Sequence, residues 1–245
     1  MRIKFLGTGG WYPKYSQTAC VLVQTRRANF VFDLGTGAAH LKDELDLTKE
    51  THVLISHFHH DHFVGINYLL GVFRGKKITV WGQKGIEKVA RAYLSPPLFP
   101  IPIEKHPFEF IFGELDGGER EIAGARVRSA ELKHSNRSLG YRLEAEGKKV
   151  SYVTDTAPCE NSVALSRGVD LIIHEATYTE KSKIGMSHTT GLEAGRLASM
   201  AKPKKLAIFH FDSEADAAGV KDILDEAKMN FKQTVAAKDG MTIVL

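Results

Sequence analysis

Cysteine is scarce in this chain of 245 residues. Cys20 and Cys159 are the only two, too few for a disulfide framework, so burial has to hold the fold together. Cys20 lies in an apolar strand pattern and reads as a small core residue, whereas Cys159, shortly after Asp155, reads either as a plain loop residue or as one bordering a site. No apolar run approaches the roughly 20 residues that span a membrane. Met1-Arg2-Ile3-Lys4-Phe5-Leu6 passes straight into glycines instead of a long apolar leader, and the expectation is a cytoplasmic protein with no membrane partner. Charge of one sign is also lacking: 33 Lys and Arg against 29 Asp and Glu leave +4. The lysines are scattered (Lys76-Lys77, Lys148-Lys149, Lys204-Lys205) and form no basic arm, which permits an anionic substrate without demanding one. Proline is sparse except between Ser95 and Pro107, which hold five of the eight. That stretch cannot be helix or central strand, and it reads as an extended crossover loop inside one domain that covers residues 1–245.

Histidine, by contrast, is concentrated. Ser56-His57-Phe58-His59-His60-Asp61-His62 lies between a short apolar strand, Thr51 to Ile55, and an apolar-periodic helix expected over Phe63 to Arg74. Strand-to-helix turns of this kind present side chains at a sheet edge, where ligands bind. His57 and His59 alternate on extended backbone and point to one side, while Asp61 and His62 project from the first helical turn. His60 points away and reads as supporting or solvated. Crowded imidazoles contribute little to packing and repel one another once protonated, whereas neutral imidazoles with a carboxylate suit a zinc-type cation. The stretch reads as a metal site.

Along the chain, residues 2 to 6 form a strand that ends in Gly7-Thr8-Gly9-Gly10, where missing side chains let backbone approach a bound group. No helix follows, so a nucleotide-binding fingerprint fails its own test. Trp11 and Tyr12 read as a substrate wall or as cover for that loop. Strands over 19–24 and 29–33 lead to a short helix ending near Leu45; Asp33 reads as a turn cap or as the partner of a metal-bound imidazole. A strand at 78–81 and a helix at 86–93 precede the proline stretch. From Phe108 the pattern is antiparallel, with strands at 108–112, 119–122, 125–132, 139–145 and 149–153. Helices near 161–167, 190–201 and 215–228 then alternate with strands at 170–173 and 205–209, and terminal strands follow. Two sheets packed face to face, with helices on both outer sides, would bury all of these patterns.

Further candidate ligands stand at strand exits: His134 after Leu132, Asp155 after Val153 and His210 after Phe209. The order His57, His59, Asp61, His62, His134, Asp155, His210 resembles the metallo-β-lactamase superfamily pattern His-x-His-x-Asp-His followed by distant His, Asp and His, with every position filled. That resemblance implies an α/β, four-layer αββα sandwich with two divalent metal ions at one edge, zinc foremost, with manganese or iron as alternatives. It places His57, His59 and His134 on one ion and Asp61, His62 and His210 on the other, with Asp155 bridging.

More narrowly, the chain resembles the ribonuclease Z-like branch. Ser138-Leu139-Gly140-Tyr141-Arg142 looks like its Gly-Tyr-Arg segment, His174-Glu175-Ala176-Thr177 matches its His-Glu-Ala-Thr motif, and Ser187-His188-Thr189-Thr190 matches its His-Ser-Thr element. The resemblance pairs Glu175 with His188 as a proton donor and counts both, with Asp61, as catalytic. From the residues alone, His188 also suits a helix start, Glu175 a surface carboxylate, and His174 a structural or supporting role. Two departures stand out. Pro13-Lys14-Tyr15-Ser16-Gln17 lacks the Arg-Asn end of the branch's N-terminal loop, and only Leu143 to Thr154 separate Arg142 from Asp155, which leaves no room for the flexible arm that grips transfer RNA. The implied function is hydrolysis of a small phosphodiester or an RNA 3′ end by a metal-bridging hydroxide, in a chain that the family suggests is a homodimer. Hydrolysis of a lactone or thioester, or non-catalytic binding of metal or a small molecule, stand as alternatives. The Glu175 and His188 pair, which a thiolate leaving group would not need, favours the diester.

Overall fold

A computed structural model describes residues 1–73, 77–106 and 108–245. Fourteen strands form two seven-stranded mixed sheets among the described residues. The first sheet holds β1 (Arg2–Gly7), β2 (Cys20–Gln24), β3 (Ala28–Phe32), β4 (Glu50–Leu54), β5 (Lys77–Gly82) and β6 (Glu109–Glu114). The second holds β7 (Gly118–Ile122), β8 (Ala125–Leu132), β9 (Ser138–Ala145), β10 (Lys148–Val153), β11 (Leu171–Glu175), β12 (Lys205–Phe209) and β13 (Thr234–Ala236). The last strand, β14 (Thr242–Val244), returns to the first sheet and pairs with β1. The helices are α1 (Leu41–Glu44), α2 (His60–Phe63), α3 (Leu69–Val72), α4 (Ile86–Tyr93), α5 (Glu160–Ser166), α6 (Gly191–Ala201) and α7 (Ala217–Asn230).

Alternation along the strands builds the layers. Phe30 and Phe32 point into the cluster between the sheets, while Val31 joins the cluster under α1 to α4 on the outer face. On β11, Leu171 and Ile173 face the other sheet, and Ile172 packs beneath α6 and α7. A strand with helices on one face and a second sheet on the other is apolar on both sides, hence the near-continuous burial of β3 and β11. The result is the expected αββα sandwich. Among the described residues no helix is long and apolar enough to cross a membrane.

Two expectations need correction. The segment after the histidine motif is not one helix: α2, a 3₁₀ stretch at Val64–Tyr68 and α3 follow in succession, and Arg74 lies outside the described residues. The backbone is used elsewhere, because His62 O accepts from Leu34 N at 2.8 Å and Gly65 N donates to Leu34 O at 2.6 Å. A Cβ at Gly65 would lie 2.4 Å from Gly35 O, so the chain trades regular helix for contact with the loop after β3. The second correction concerns Phe108 to Phe112, read as the start of the antiparallel run. Its strand β6 pairs parallel with β5, and antiparallel pairing begins only at β7. The proline stretch, with its one 3₁₀ turn at Ile103–Lys105, supplies the long return that a parallel neighbour requires. Pro107 lies outside the described residues.

Candidate metal centre

Strand direction brings the donors together. Strands β8 and β10 are both antiparallel to β9, and β10, β11 and β12 are mutually parallel, so β8, β10 and β12 all leave the second sheet at one edge. His134, Asp155 and His210 follow those exits. From the first sheet, β4 leads into Ser56 to His59 and then α2. Tyr141, in the Gly-Tyr-Arg segment of β9, fastens the two sheets beneath this turn, since its hydroxyl donates to Ile55 O at 2.5 Å.

The donor atoms form three overlapping groups that could each hold an ion, with ligand atoms inside 4.8 Å of one another: His57, His59, His134 and Asp155; Asp61, His62 and His210; and Asp155, His188 and His210. Asp155 faces the first two. Its Oδ2 lies 3.7 Å from His57 Nε2 and 3.7 Å from His134 Nε2, while its Oδ1 lies 3.1 Å from both His62 Nε2 and His210 Nε2. Asp61 Oδ2 lies 3.3 Å from His62 Nε2 and 3.4 Å from His210 Nε2.

The outward nitrogens show whether a cation fits. His62 Nδ1 donates to Asp33 Oδ2 at 2.8 Å, His134 Nδ1 to Ser187 O at 3.0 Å, and His210 Nδ1 lies 3.2 Å from Thr177 Oγ1. The amide of Asn136 lies 2.7 Å from His59 Nε2, leaving Nδ1 to face inward. Ser56 Oγ donates to Asp33 Oδ2 at 2.8 Å and so accepts from His57 Nδ1 at 2.9 Å. That fixes the His57 tautomer and leaves Nε2 as a bare lone pair, buried and without a hydrogen-bond partner. Each imidazole is thus held by one nitrogen and offers the other, which is how a ligating histidine is oriented. Burial of an unpaired nitrogen among rings 4.3–5.2 Å away is costly unless something takes it up. The donor set therefore fits divalent metal ions of the zinc type.

Electrostatics agrees. Burial pushes the His57 imidazole well below its ordinary value, with His62 adding to the effect, so it is neutral, as a ligand would have to be. Burial opposes charge on His62, but Asp155, Asp61 and Asp33 hold it well above its ordinary value; the same three carboxylates would attract a cation. Burial would raise Asp61 and Asp155, yet the surrounding imidazoles keep both far below the usual carboxylate range.

Beside the donors lies a cleft of about 200 Å³ lined by Trp11, Asp61, Tyr178, His188, His210 and Asp212 among others. A larger hollow of about 550 Å³ between Glu119 and Lys149 is lined by acid and base side chains with two glycines and Ala145 and holds no imidazole, so size does not locate the chemistry. Glu175 is fully buried, far from the surface carboxylate it resembled in the sequence. Its Oε1 accepts from His188 Nδ1 at 3.1 Å and Thr156 N at 2.6 Å, and its Oε2 accepts from Thr177 Oγ1 at 2.6 Å and Thr189 N at 3.1 Å. Burial alone would lower His188, but Glu175 and Asp155 bring it up to about 9. His188 is not the helix cap; that role belongs to Thr190, which forms a capping box with Glu193.

The other candidates sort themselves. His60 is exposed. His174 is buried, with Nδ1 2.7 Å from Glu175 O. Cys159 sits at the start of α5, bonded to Ser162 and Thr156, and is absent from the cleft lining. Asp33 is an imidazole partner, as one of its two readings had it. Ser56, Asn136 and Thr177 carry supporting roles that the sequence left unassigned; Ser56, directly before the histidine motif, and Thr177, the last residue of the His-Glu-Ala-Thr match, gave a signal, and Asn136 gave none.

The model of the beta-lactamase superfamily domain matches residues 28–211. The chain is 27% identical to Ribonuclease Z from Methanosarcina acetivorans over 302 aligned positions, covering 99% of this chain and 97% of that one. The metallo-beta-lactamase fold protein YhfI from Bacillus subtilis superposes with a TM-score of 0.83 at 22% identity, over 99% of this chain and 98% of that one. The short form of human tRNase Z gives 0.77 at 21%, over 100% and 99%.

Proposed function

The chain belongs to the metallo-β-lactamase superfamily, and on that premise we propose that residues 1–245 act as one domain with the activity of a metal-dependent phosphodiesterase of the ribonuclease Z-like type, holding two ions, zinc foremost. His57, His59 and His134 would hold one ion, Asp61, His62 and His210 the other, with Asp155 shared between them through its two oxygens. When bound, such a pair supplies an acidified water as nucleophile and neutralises charge on a phosphoryl group. The chain's own residues do the rest. Asp61 stays ionised beside the cleft, and the hydrogen bond from His188 Nδ1 to Glu175 leaves the far side of that imidazole for a proton delivered to the departing oxygen.

The observation that carries this reading is the Glu175 and His188 pair at the cleft wall. A buried carboxylate that accepts from one nitrogen of an imidazole in the cleft lining, and so leaves the other nitrogen to a substrate, suits an alkoxide leaving group, which needs a proton. The test compares leaving groups in His188→Ala. Metal content should be unchanged, and turnover of a diester with an alkoxide leaving group should fall by roughly 10²–10⁴, while bis(p-nitrophenyl) phosphate, whose phenolate leaves unaided, is spared. Equal slowing of both substrates, or of neither, would remove the proton-donor role.

A further inference from the structure

Seven described residues other than glycine carry positive φ. Three are explained by turns or caps: Ala123 between β7 and β8, Glu146 between β9 and β10, and Lys202 at the end of α6. The other four meet at the centre: Asp33 (φ 57°), Asp155 (φ 40°), His210 (φ 59°) and Trp11 (φ 55°). Left-handed backbone at a bulky residue persists only where its surroundings over-determine it, and such residues gather at functional sites. In the first three, the strain aims a donor or its holder. Trp11 is the one without an assigned task.

Its backbone is pinned from several sides. Trp11 N donates to Asp61 Oδ2 at 2.8 Å, Tyr12 N to Ser213 Oγ at 3.2 Å, and Ser213 Oγ to Gly10 O at 2.9 Å. Gly10 passes so close to His210 that a Cβ there would lie 2.5 Å from the ring. Glycine at position 11 would make the same bonds without strain, so the indole itself is what the position adds. Yet the indole is 74% exposed and contributes little to the core. It lines the cleft, braced edge-on by Tyr12 at 5.0 Å and 69°, and Tyr12 is in turn tied to Glu214. Apart from Tyr178, the remaining lining is imidazole, carboxylate, hydroxyl and glycine, so the indole is the broadest flat face the cleft offers to a ring.

We propose that Trp11 is a stacking platform for a nucleobase attached to the phosphate that the centre attacks. This rests on the phosphodiesterase reading and adds a residue that would set specificity within it. Base-on-indole stacking tolerates any base, so the platform itself sets no preference among them.

The experiment follows tryptophan fluorescence of the metal-loaded protein during titration with AMP and, separately, ribose 5-phosphate, which shares the phosphate and sugar but has no base. AMP should quench, and ribose 5-phosphate should not. In Trp11→Gly, where Trp81 is the only tryptophan left, the quench should vanish. By competition against hydrolysis, AMP should bind that variant roughly tenfold to a hundredfold more weakly, with ribose 5-phosphate unchanged and Trp11→Phe restoring most of the loss. Equal weakening of both ligands, or unchanged AMP affinity, would overturn the platform. Failure of the underlying reading is separate: it would show as base-dependent quenching in a protein that hydrolyses no diester.

Discussion

Asp33 is the side chain whose loss both halves of the donor set should feel. Its Oδ2 accepts from His62 Nδ1, Ser56 Oγ and Tyr152 Oη, each at 2.8 Å, and its Oδ1 accepts from Ser56 N at 2.7 Å. Through His62 it orients a ligand of one proposed ion, and through Ser56 it sets the tautomer of His57 on the other. Asp33→Asn keeps the volume but replaces one acceptor oxygen with an amide NH2 that faces donors. Metal affinity should fall by about 10–100-fold, the usual loss when an imidazole's outer partner goes, and stability should fall by about 1–3 kcal/mol for each donor left unpaired. Chelator competition with both ions followed separately checks the first, and denaturant unfolding checks the second. If only the ion held by His62 were weakened, the relay through Ser56 would be wrong. Asp33 was half-legible in the sequence, as a carboxylate at a strand end near the motif. That one carboxylate serves two imidazoles depends on the distance between strand exits, which residue order does not encode.

The hairpin joining β9 to β10 is an element whose shortness has consequences. Ala145 pairs with Lys148 across Glu146 and Gly147, both at positive φ, the backbone of a two-residue hairpin turn. Nothing extends from it, and the 302 positions aligned with the Methanosarcina enzyme exceed the 245 residues here, so that relative carries segments with no counterpart in this chain. A precursor transfer RNA should therefore bind no more tightly than a short single-stranded oligonucleotide with the same 3′ end at matched salt, since only contacts near the cleft are left. Tighter binding of the folded RNA, measured by titration at two salt concentrations, would reveal a gripping surface elsewhere. The turn was legible from Gly147 and the short spacing. Elements failed where pairing partners decide: Phe108 to Phe112 has the composition of either kind of strand, and its parallel placement follows from the return path through the prolines. The helix expected after His62 failed for a similar reason, because Gly65 spends its N–H on Leu34.

Across the whole molecule, the donors divide between the sheets: His57, His59, Asp61 and His62 follow β4 of the first, and His134, Asp155 and His210 follow strands of the second. Ions held between them would fasten the two sheets at one edge, and binding to the folded state alone stabilises it by mass action. The rest of the contact does not need them. Phe5, Phe30, Phe32, Tyr141, Tyr152 and Phe209 form a continuous apolar layer between the sheets, so the chelated protein should stay folded. At free metal about 100 times the dissociation constant, each ion adds about 2.7 kcal/mol. For a chain of this size about 1 kcal/mol moves the midpoint by about 2–4 °C, so restoring metal should raise Tm by roughly 5–10 °C for each site filled. Calorimetry of chelated and reconstituted samples, with metal content determined on each, checks this. A chelated protein that no longer unfolds cooperatively would mean that the apolar layer is insufficient without the ions. An identical Tm in samples shown to differ by two ions would mean that the ions bind the unfolded chain as well as the folded one, so that a donor set assembled from the two sheets would not be what holds them.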